Sequence, residues 1–174
     1  MTIRWLARMV ALGRSARVGQ ALDTRFRVQV FDLDIQMHMT NGRYLSVLDA
    51  SRISYFAKTG LWRQLRRRRW APVVTAQTIT YKRPLLPLQS YRVRTVLVGA
   101  DSHNLYFEQT FHSGDTDYAM AVVSVRITDQ CGQSVSPPEV LTLAASVPAE
   151  LPESIAAWST FSRNMHSQNA RQSW

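Results

Sequence analysis

Asp32 and Asp34 stand two residues apart where an alternating stretch gives way to a helical one, in the run Phe31-Asp32-Leu33-Asp34-Ile35-Gln36-Met37-His38-Met39-Thr40-Asn41-Gly42-Arg43-Tyr44. A loop carboxylate can attack a carbonyl or activate a water. The first N–H groups of a helix lack intrahelical acceptors and lie at the positive end of its dipole, so a carbonyl held there is polarised toward an oxyanion. Together these groups suit acyl transfer or hydrolysis without a serine nucleophile. There is no Gly-x-Ser-x-Gly elbow and no Gly-rich phosphate loop. His38, His103, His112 and His166 show no ligand-like spacing to Cys or acidic partners, so no metal site is expected. If the strand runs on through the loop, Asp32 shares a face with Asp34, and a structural or tuning role is expected for it. Asp49 lies two turns into the helix, roughly 12 Å from its start, and is expected to be a polar contact.

The flanking patterns say what holds these groups. Phe26, Val28 and Val30 alternate with Arg25, Arg27 and Gln29, the period of a strand with one buried face over residues 24–30. Over residues 42–58 the period becomes helical. Tyr44, Leu45, Leu48, Ser51, Tyr55 and Phe56 form a stripe, Asn41 is the expected N-cap, and Gly60 the expected stop. Four strand-like runs follow at 73–82, 91–97, 105–111 and 119–127, separated by turn residues. One strand, a helix and four consecutive strands predict an α+β fold: a curved antiparallel five-stranded sheet with one long helix against its concave face. The domain is expected at 24–147, with an N-terminal amphipathic helix or arm at 1–23. The C-terminal extension at 148–174 is expected to be a short helix or a partly flexible tail.

Composition narrows the function classes. A chain of 174 residues with 45% hydrophobic residues is one globular domain with tails. A single Cys131 forms no internal disulfide, which fits a reducing, cytoplasmic setting. The net charge of +9 raises the question of a polyanionic partner. Of 21 basic residues, however, only Lys58 and Lys82 are lysines, and the arginines are spread along the chain apart from a cluster at Arg63 and Arg66 to Arg69. That cluster reads as a solvated loop, or as a phosphate grip near the mouth of a site. No nucleic-acid-binding signature accompanies it, so no nucleic acid is expected. In the first residues Ile3, Trp5, Leu6, Met9, Val10 and Leu12 oppose Arg4, Arg8 and Arg14, a helix suited to packing on the domain or contacting a membrane surface. Its uncharged runs are too short for a signal peptide core.

The run from Asp32 to Leu45 resembles the Asp-x-Asp-x-x-Gly-His-Val-Asn-Asn-x-x-Tyr-Leu signature of hotdog-fold acyl-CoA thioesterases of the 4-hydroxybenzoyl-CoA thioesterase type. Residues 48–61 and Tyr81-Lys82-Arg83-Pro84-Leu85 extend the likeness across about residues 24–130. The resemblance implies a homodimer or homotetramer with sites between protomers. It also implies hydrolysis of an acyl-CoA thioester, with no cofactor because coenzyme A is part of the substrate. It maps the reactive carboxylate onto Asp34, whose other reading is an acceptor for loop N–H groups as Asp often is before a helix, and the oxyanion donors onto the backbone of Asn41 and Gly42. His38, Met37, Tyr44 and Arg83 then fall beside the substrate, though His38 also suits a hydrogen bond that braces the loop, Tyr44 also suits the core, and Arg83 and Arg126 suit solvent as well as phosphate. Met37 replaces the signature's Gly and Thr40 its first Asn. A side chain at a position usually bare would narrow the acyl pocket or block the carbonyl. The rival expectation is therefore a hotdog protein that binds acyl-CoA, or serves as a structural subunit, without turnover.

Overall fold

The computed structural model describes residues 16–143 and 150–170, with side chains as far as residue 165. Most of the expected N-terminal helix, and residues 144–149 and 171–174, lie outside the described residues. Among the described residues no helix is long and apolar enough to cross a membrane.

Five strands form one antiparallel sheet: β1 (Leu22–Arg27), β2 (Ala71–Tyr81), β3 (Ser90–Ala100), β4 (Leu105–Ser113) and β5 (Thr116–Thr128). Their order across the sheet is β1-β3-β4-β5-β2. Consecutive β3, β4 and β5 pair through short turns, whereas β2, which follows the helices, pairs with β5 and forms one edge. Helix α1 (Asn41–Thr59) lies on the concave face and buries Tyr44, Val47, Leu48, Ser51 and Tyr55. Phe107, from β4, meets the rings of Tyr55 and Phe56 with centroids 5.7 and 5.5 Å away; Phe111, further along the same face of β4, meets Tyr44 at 4.9 Å. Side chains alternate across a strand, so β4 sends Leu105, Phe107, Gln109 and Phe111 to this core.

Arg52 and Gln109 interrupt that apolar interior. Arg52 Nη1 donates to Gln109 Oε1 at 2.6 Å, Gln109 Nε2 donates to the Leu48 carbonyl and to Thr95 Oγ1, and the Thr95 hydroxyl meets Ser51 Oγ at 2.7 Å. The Arg52 fork also reaches Asp49, whose side chain is largely exposed. Burial of the guanidinium lowers its pKa, partly opposed by the Asp49 charge. Asp49 is thus a polar contact, and its arginine partner is a buried charge that a stripe of apolar positions does not predict.

Four local expectations change. The first strand stops at Arg27, because the chain turns into a single 3-10 turn at Val30–Asp32. Thr40, not Asn41, is the N-cap: its Oγ1 accepts from the Arg43 N–H at 3.2 Å, and Asn41 is the first helical residue. The arginine cluster is not a loop but the end of a short helix, α2 (Leu61–Arg68), anchored by buried Leu61 and Leu65 and closed by Arg69 in the left-handed conformation at φ 56°. After a one-turn helix, α3 (Pro137–Leu141), the C-terminal segment forms an 18-residue helix, α4 (Glu153–Ala170), rather than a short helix or tail.

Helix α4 seats on the outer face of the sheet through Ile155, Trp158, Ser159 and Ser162, one face of a 3.6-residue period. Gly99 sits at φ 155°, a backbone conformation that favours glycine, and a Cβ there would stand 2.8 Å from Leu151 Cδ2, so the bare backbone lets Leu151 seat closely where the segment leading into α4 crosses the strand. Asp101 ties the helix down. Its Oδ1 accepts from the His103 and Asn104 N–H groups, and its Oδ2 meets Tyr106 Oη, Ser159 Oγ and Arg163 Nη1.

Candidate active site

The loop before α1 is a small hairpin built around Asp34. Leu33 and Met39 form an antiparallel bridge, and the Asp34 N–H donates to the His38 carbonyl at 2.8 Å. Between Asp34 and His38 lie three residues. The Met37 N–H returns to the Asp34 carbonyl, and Met37 takes φ 61°. That is a turn followed by a left-handed residue, the common three-residue hairpin loop in which glycine usually fills the last place. Met37 stands there with its side chain 57% exposed and outside the cleft described below. Its effect is local backbone strain rather than obstruction of the site.

Asp34 Oδ1 accepts two backbone hydrogen bonds, from Gln36 at 2.9 Å and His38 at 3.1 Å. No protein donor among the described residues engages Oδ2. The side chain is thus oriented by its loop while one oxygen remains available. Asp32 has the opposite fate. It is 2% exposed, its Oδ2 accepts from the Gln29 N–H, its carbonyl accepts from the Thr40 N–H, and its Oδ1 lies 2.7 Å from Arg43 Nε in an ion pair without linear N–H alignment. The two carboxylates do not share a face, contrary to the continuous-strand expectation, because the 3-10 turn rotates Asp32 inward. Asp32 braces the loop against the first turn of α1.

At the start of α1 the Thr40 side chain takes the Arg43 amide, and the N–H groups of Asn41 and Gly42 donate to no protein acceptor among the described residues. A Cβ placed on Gly42 would have no heavy atom within 4 Å, so glycine here leaves open space rather than relieving a clash.

A cleft of about 380 Å³ gathers Asp34, His38, Asn41, Tyr44 and Arg83, with Tyr81 from the end of β2 and Lys82 just after it. Gly42 and Met37 are not part of its lining. Tyr44 is both core and wall: it is 2% exposed, its ring meets Tyr81 edge-on at 5.0 Å, and its hydroxyl accepts from the Leu85 N–H at 3.3 Å. Burial pushes its phenol pKa up, so it serves as a neutral group. Arg83 is exposed on the rim, and Lys82 pairs with Asp117 at 3.3 Å. Arg126 lies elsewhere, under α4, with its Nε on Asn104 Oδ1. Tyr81 and Lys82 lie in the Tyr-Lys-Arg-Pro run but carry no local signal for the site; β2, paired with β5, sets Tyr81 against Tyr44 at the helix start. Arg43 had no sequence signal at all, since its partner Asp32 reads as a loop acid.

An antiparallel five-stranded sheet curled over one long helix, with an acidic loop feeding that helix's N-terminus, defines the hotdog fold. The model of the thioesterase-like superfamily matches residues 28–159, and the chain belongs to that family. Protein THEM6 of Drosophila melanogaster is 31% identical over 133 residues, 73% of this chain and 66% of that protein. The YbaW probable thioesterase from Escherichia coli superposes with a TM-score of 0.66 at 19% identity, over 72% of this chain and 99% of its own. The hypothetical protein SAV2348 from Staphylococcus aureus, solved in complex with CoA, superposes with a TM-score of 0.65 at 17% identity, over 80% and 94% of the two chains. This chain spans between 50% and 66% of the length of the THEM6 proteins it matches.

Proposed function

We propose that the protein hydrolyses an acyl-CoA thioester to the free acid and coenzyme A at the Asp34 cleft. The observation that carries this reading is a carboxylate with one oxygen fixed by two loop amides and the other available, lining the same cleft as Asn41 at the start of α1, where the Thr40 cap leaves the Asn41 and Gly42 N–H groups without protein acceptors among the described residues. The thioester carbonyl oxygen would face the Asn41 and Gly42 N–H groups, which stabilise the charge it gains as the carbon becomes tetrahedral. Asp34 either takes a proton from a water that attacks the carbon or attacks it directly to give a mixed anhydride that water then cleaves. In both routes the C–S bond breaks and coenzyme A leaves as the thiolate. Arg83 at the rim supplies a fork for phosphate oxygens. Family membership and the CoA carried by the Staphylococcus aureus neighbour support this substrate class.

The proposal includes a homodimer joined through β2. This edge strand runs for eleven residues and exposes Val73 at 46% and Val74 at 40%, a long strand edge with apolar residues at one end that domains usually cover. A cytoplasmic setting completes it, resting on the lone exposed Cys131.

The test is thiol release from a panel of acyl-CoAs by the purified protein and its Asp34→Asn variant. Release by the wild type that collapses in the variant is the expected result. A wild type that binds acyl-CoA without releasing thiol would overturn hydrolysis in favour of a binding module.

A further inference from the structure

Between α4 and the outer face of the sheet lies a second cleft, of about 590 Å³, on the side of the sheet opposite α1. Its lining sets polar side chains into a mainly apolar surface. Thr75, Ser124 and Arg126 come from β2 and β5, and Trp158, Ser162 and Arg163 from α4. The Thr75 and Ser124 hydroxyls close on each other at 2.9 Å, and Ser124 is 3% exposed, so the floor is fixed. Arg163 is already neutralised, because Nη1 meets Asp101 Oδ2 and Ser159 Oγ while Nη2 donates to Thr160. Arg126 is different. It is half-buried, only its Nε is engaged, by the neutral Asn104 amide oxygen at 3.3 Å, and no carboxylate among the described residues stands against it. Both its Nη groups are left as paired donors, in the same cleft as a Ser162 hydroxyl with no partner among the described residues.

A half-buried guanidinium with its fork open favours a planar or tetrahedral oxyanion held in two parallel hydrogen bonds. Trp158, half-buried and packed edge-on against Tyr106 at 6.3 Å, adds a flat apolar wall in the same cleft. The volume falls within the range of small-molecule sites. We infer that this cleft is a binding site for a small organic anion, an aromatic ring carrying a phosphate or carboxylate, with the oxyanion on Arg126 and Ser162 and the ring against Trp158. The inference is independent of thioester hydrolysis, since none of these residues lines the Asp34 cleft.

The experiment titrates the full chain with phenyl phosphate, benzoate and inorganic phosphate, following the Trp158 indole N–H and Arg126 Nε resonances by NMR, with Trp158→Phe used to assign the indole signal. Saturable shifts of both resonances are expected with at least one aromatic anion. Whichever of phenyl phosphate and benzoate binds more tightly names the oxyanion, and inorganic phosphate, lacking the ring, should bind more weakly than phenyl phosphate. Arg126→Gln should weaken binding by about tenfold or more, the loss expected of a charge-assisted pair, and Ser162→Ala by about threefold. Both variants should keep the wild-type fold and thiol release. Absence of saturable shifts with either aromatic anion, or unchanged affinity in Arg126→Gln, would overturn the inference.

Discussion

Replacing Asp34 separates its two roles, because its two oxygens have different partners. Asp34→Asn keeps an oxygen that can accept from the Gln36 and His38 amides, whereas Asp34→Ala removes that acceptor. Those two bonds, at 2.9 and 3.1 Å, hold a solvent-exposed loop, so each contributes at the low end of the hydrogen-bond range, about 0.5–1 kcal/mol. Asp34→Ala should therefore unfold about 1–2 kcal/mol more easily than the wild type, and Asp34→Asn should stay within about 0.5 kcal/mol of it. Activity should not follow that order. An amide neither attacks a thioester nor takes a proton from water at neutral pH, so both variants should lose at least about 100-fold in kcat/KM, the low end of what a positioned acid–base group supplies. Urea unfolding gives the first comparison and thiol release from acyl-CoA the second. An Asp34→Asn enzyme that retains turnover within tenfold of the wild type would refute the assignment of the carboxylate, leaving Asp34 only as the organiser of its loop. Equal stability of the two variants would refute the bracing role of Oδ1.

Three further outcomes follow from neighbouring features. Gly42→Ala puts a methyl into open space on an α-helix, so urea unfolding should show a gain of about 0.5–1 kcal/mol; thiol release should fall if the carbonyl approaches the Gly42 N–H, and unchanged kcat/KM would move the oxyanion donors elsewhere. Gln109→Leu leaves the buried Arg52 guanidinium short of an acceptor and should cost about 2–4 kcal/mol in a denaturant titration, whereas a neutral result would show that the network is replaceable. Burial of Asp101 pushes its pKa up, but its bonds from Tyr106, His103, Asn104 and Ser159 outweigh this and hold it below the ordinary carboxylate value. A depressed folded pKa contributes stability above the unfolded value and loses it as pH falls through the folded one. Unfolding midpoints measured from neutral to acid pH should decline through the carboxylate range, less steeply in Asp101→Asn; identical slopes would refute the linkage.

The parts of this molecule legible in the sequence are those set by local periodicity. Alternation in residues 105–111 marks β4, because every second side chain enters one core, and the stripe from Tyr44 to Phe56 marks α1 for the corresponding helical reason. Groups whose surroundings come from distant parts of the chain are not legible in this way. Arg52 looks like a surface residue of an amphipathic helix until Gln109, brought close by β4, supplies its acceptor. The cation cluster reads as solvent-facing, and most of it is, yet Leu61 and Leu65 are spaced to bury one side of a helix there. The C-terminal segment has few apolar residues, and its docking depends on Asp101 and on the bare backbone of Gly99, neither of which carries a local signal for a helix that lies 50 residues further on.

Met37 shows how a departure from a family signature is weighed. From sequence it threatens the site, since it fills a place usually left to glycine beside the reactive loop. The hairpin gives that glycine a different reason for being there: the last residue of the three-residue loop must take positive φ, and Met37 does so at 61°. A left-handed non-glycine residue costs roughly 1–2 kcal/mol, partly offset by the backbone entropy of about 0.5–1 kcal/mol that glycine would lose on folding. The substitution is therefore carried as a modest cost in stability, with the side chain exposed and the cleft left open. The same reasoning covers Thr40 in place of the signature's asparagine, because threonine also accepts the N3 amide at an N-cap. Both departures preserve the backbone geometry that sets Asp34 beside the start of α1, so they bear on how stably the loop is held, and turnover depends on the carboxylate and the two free amides.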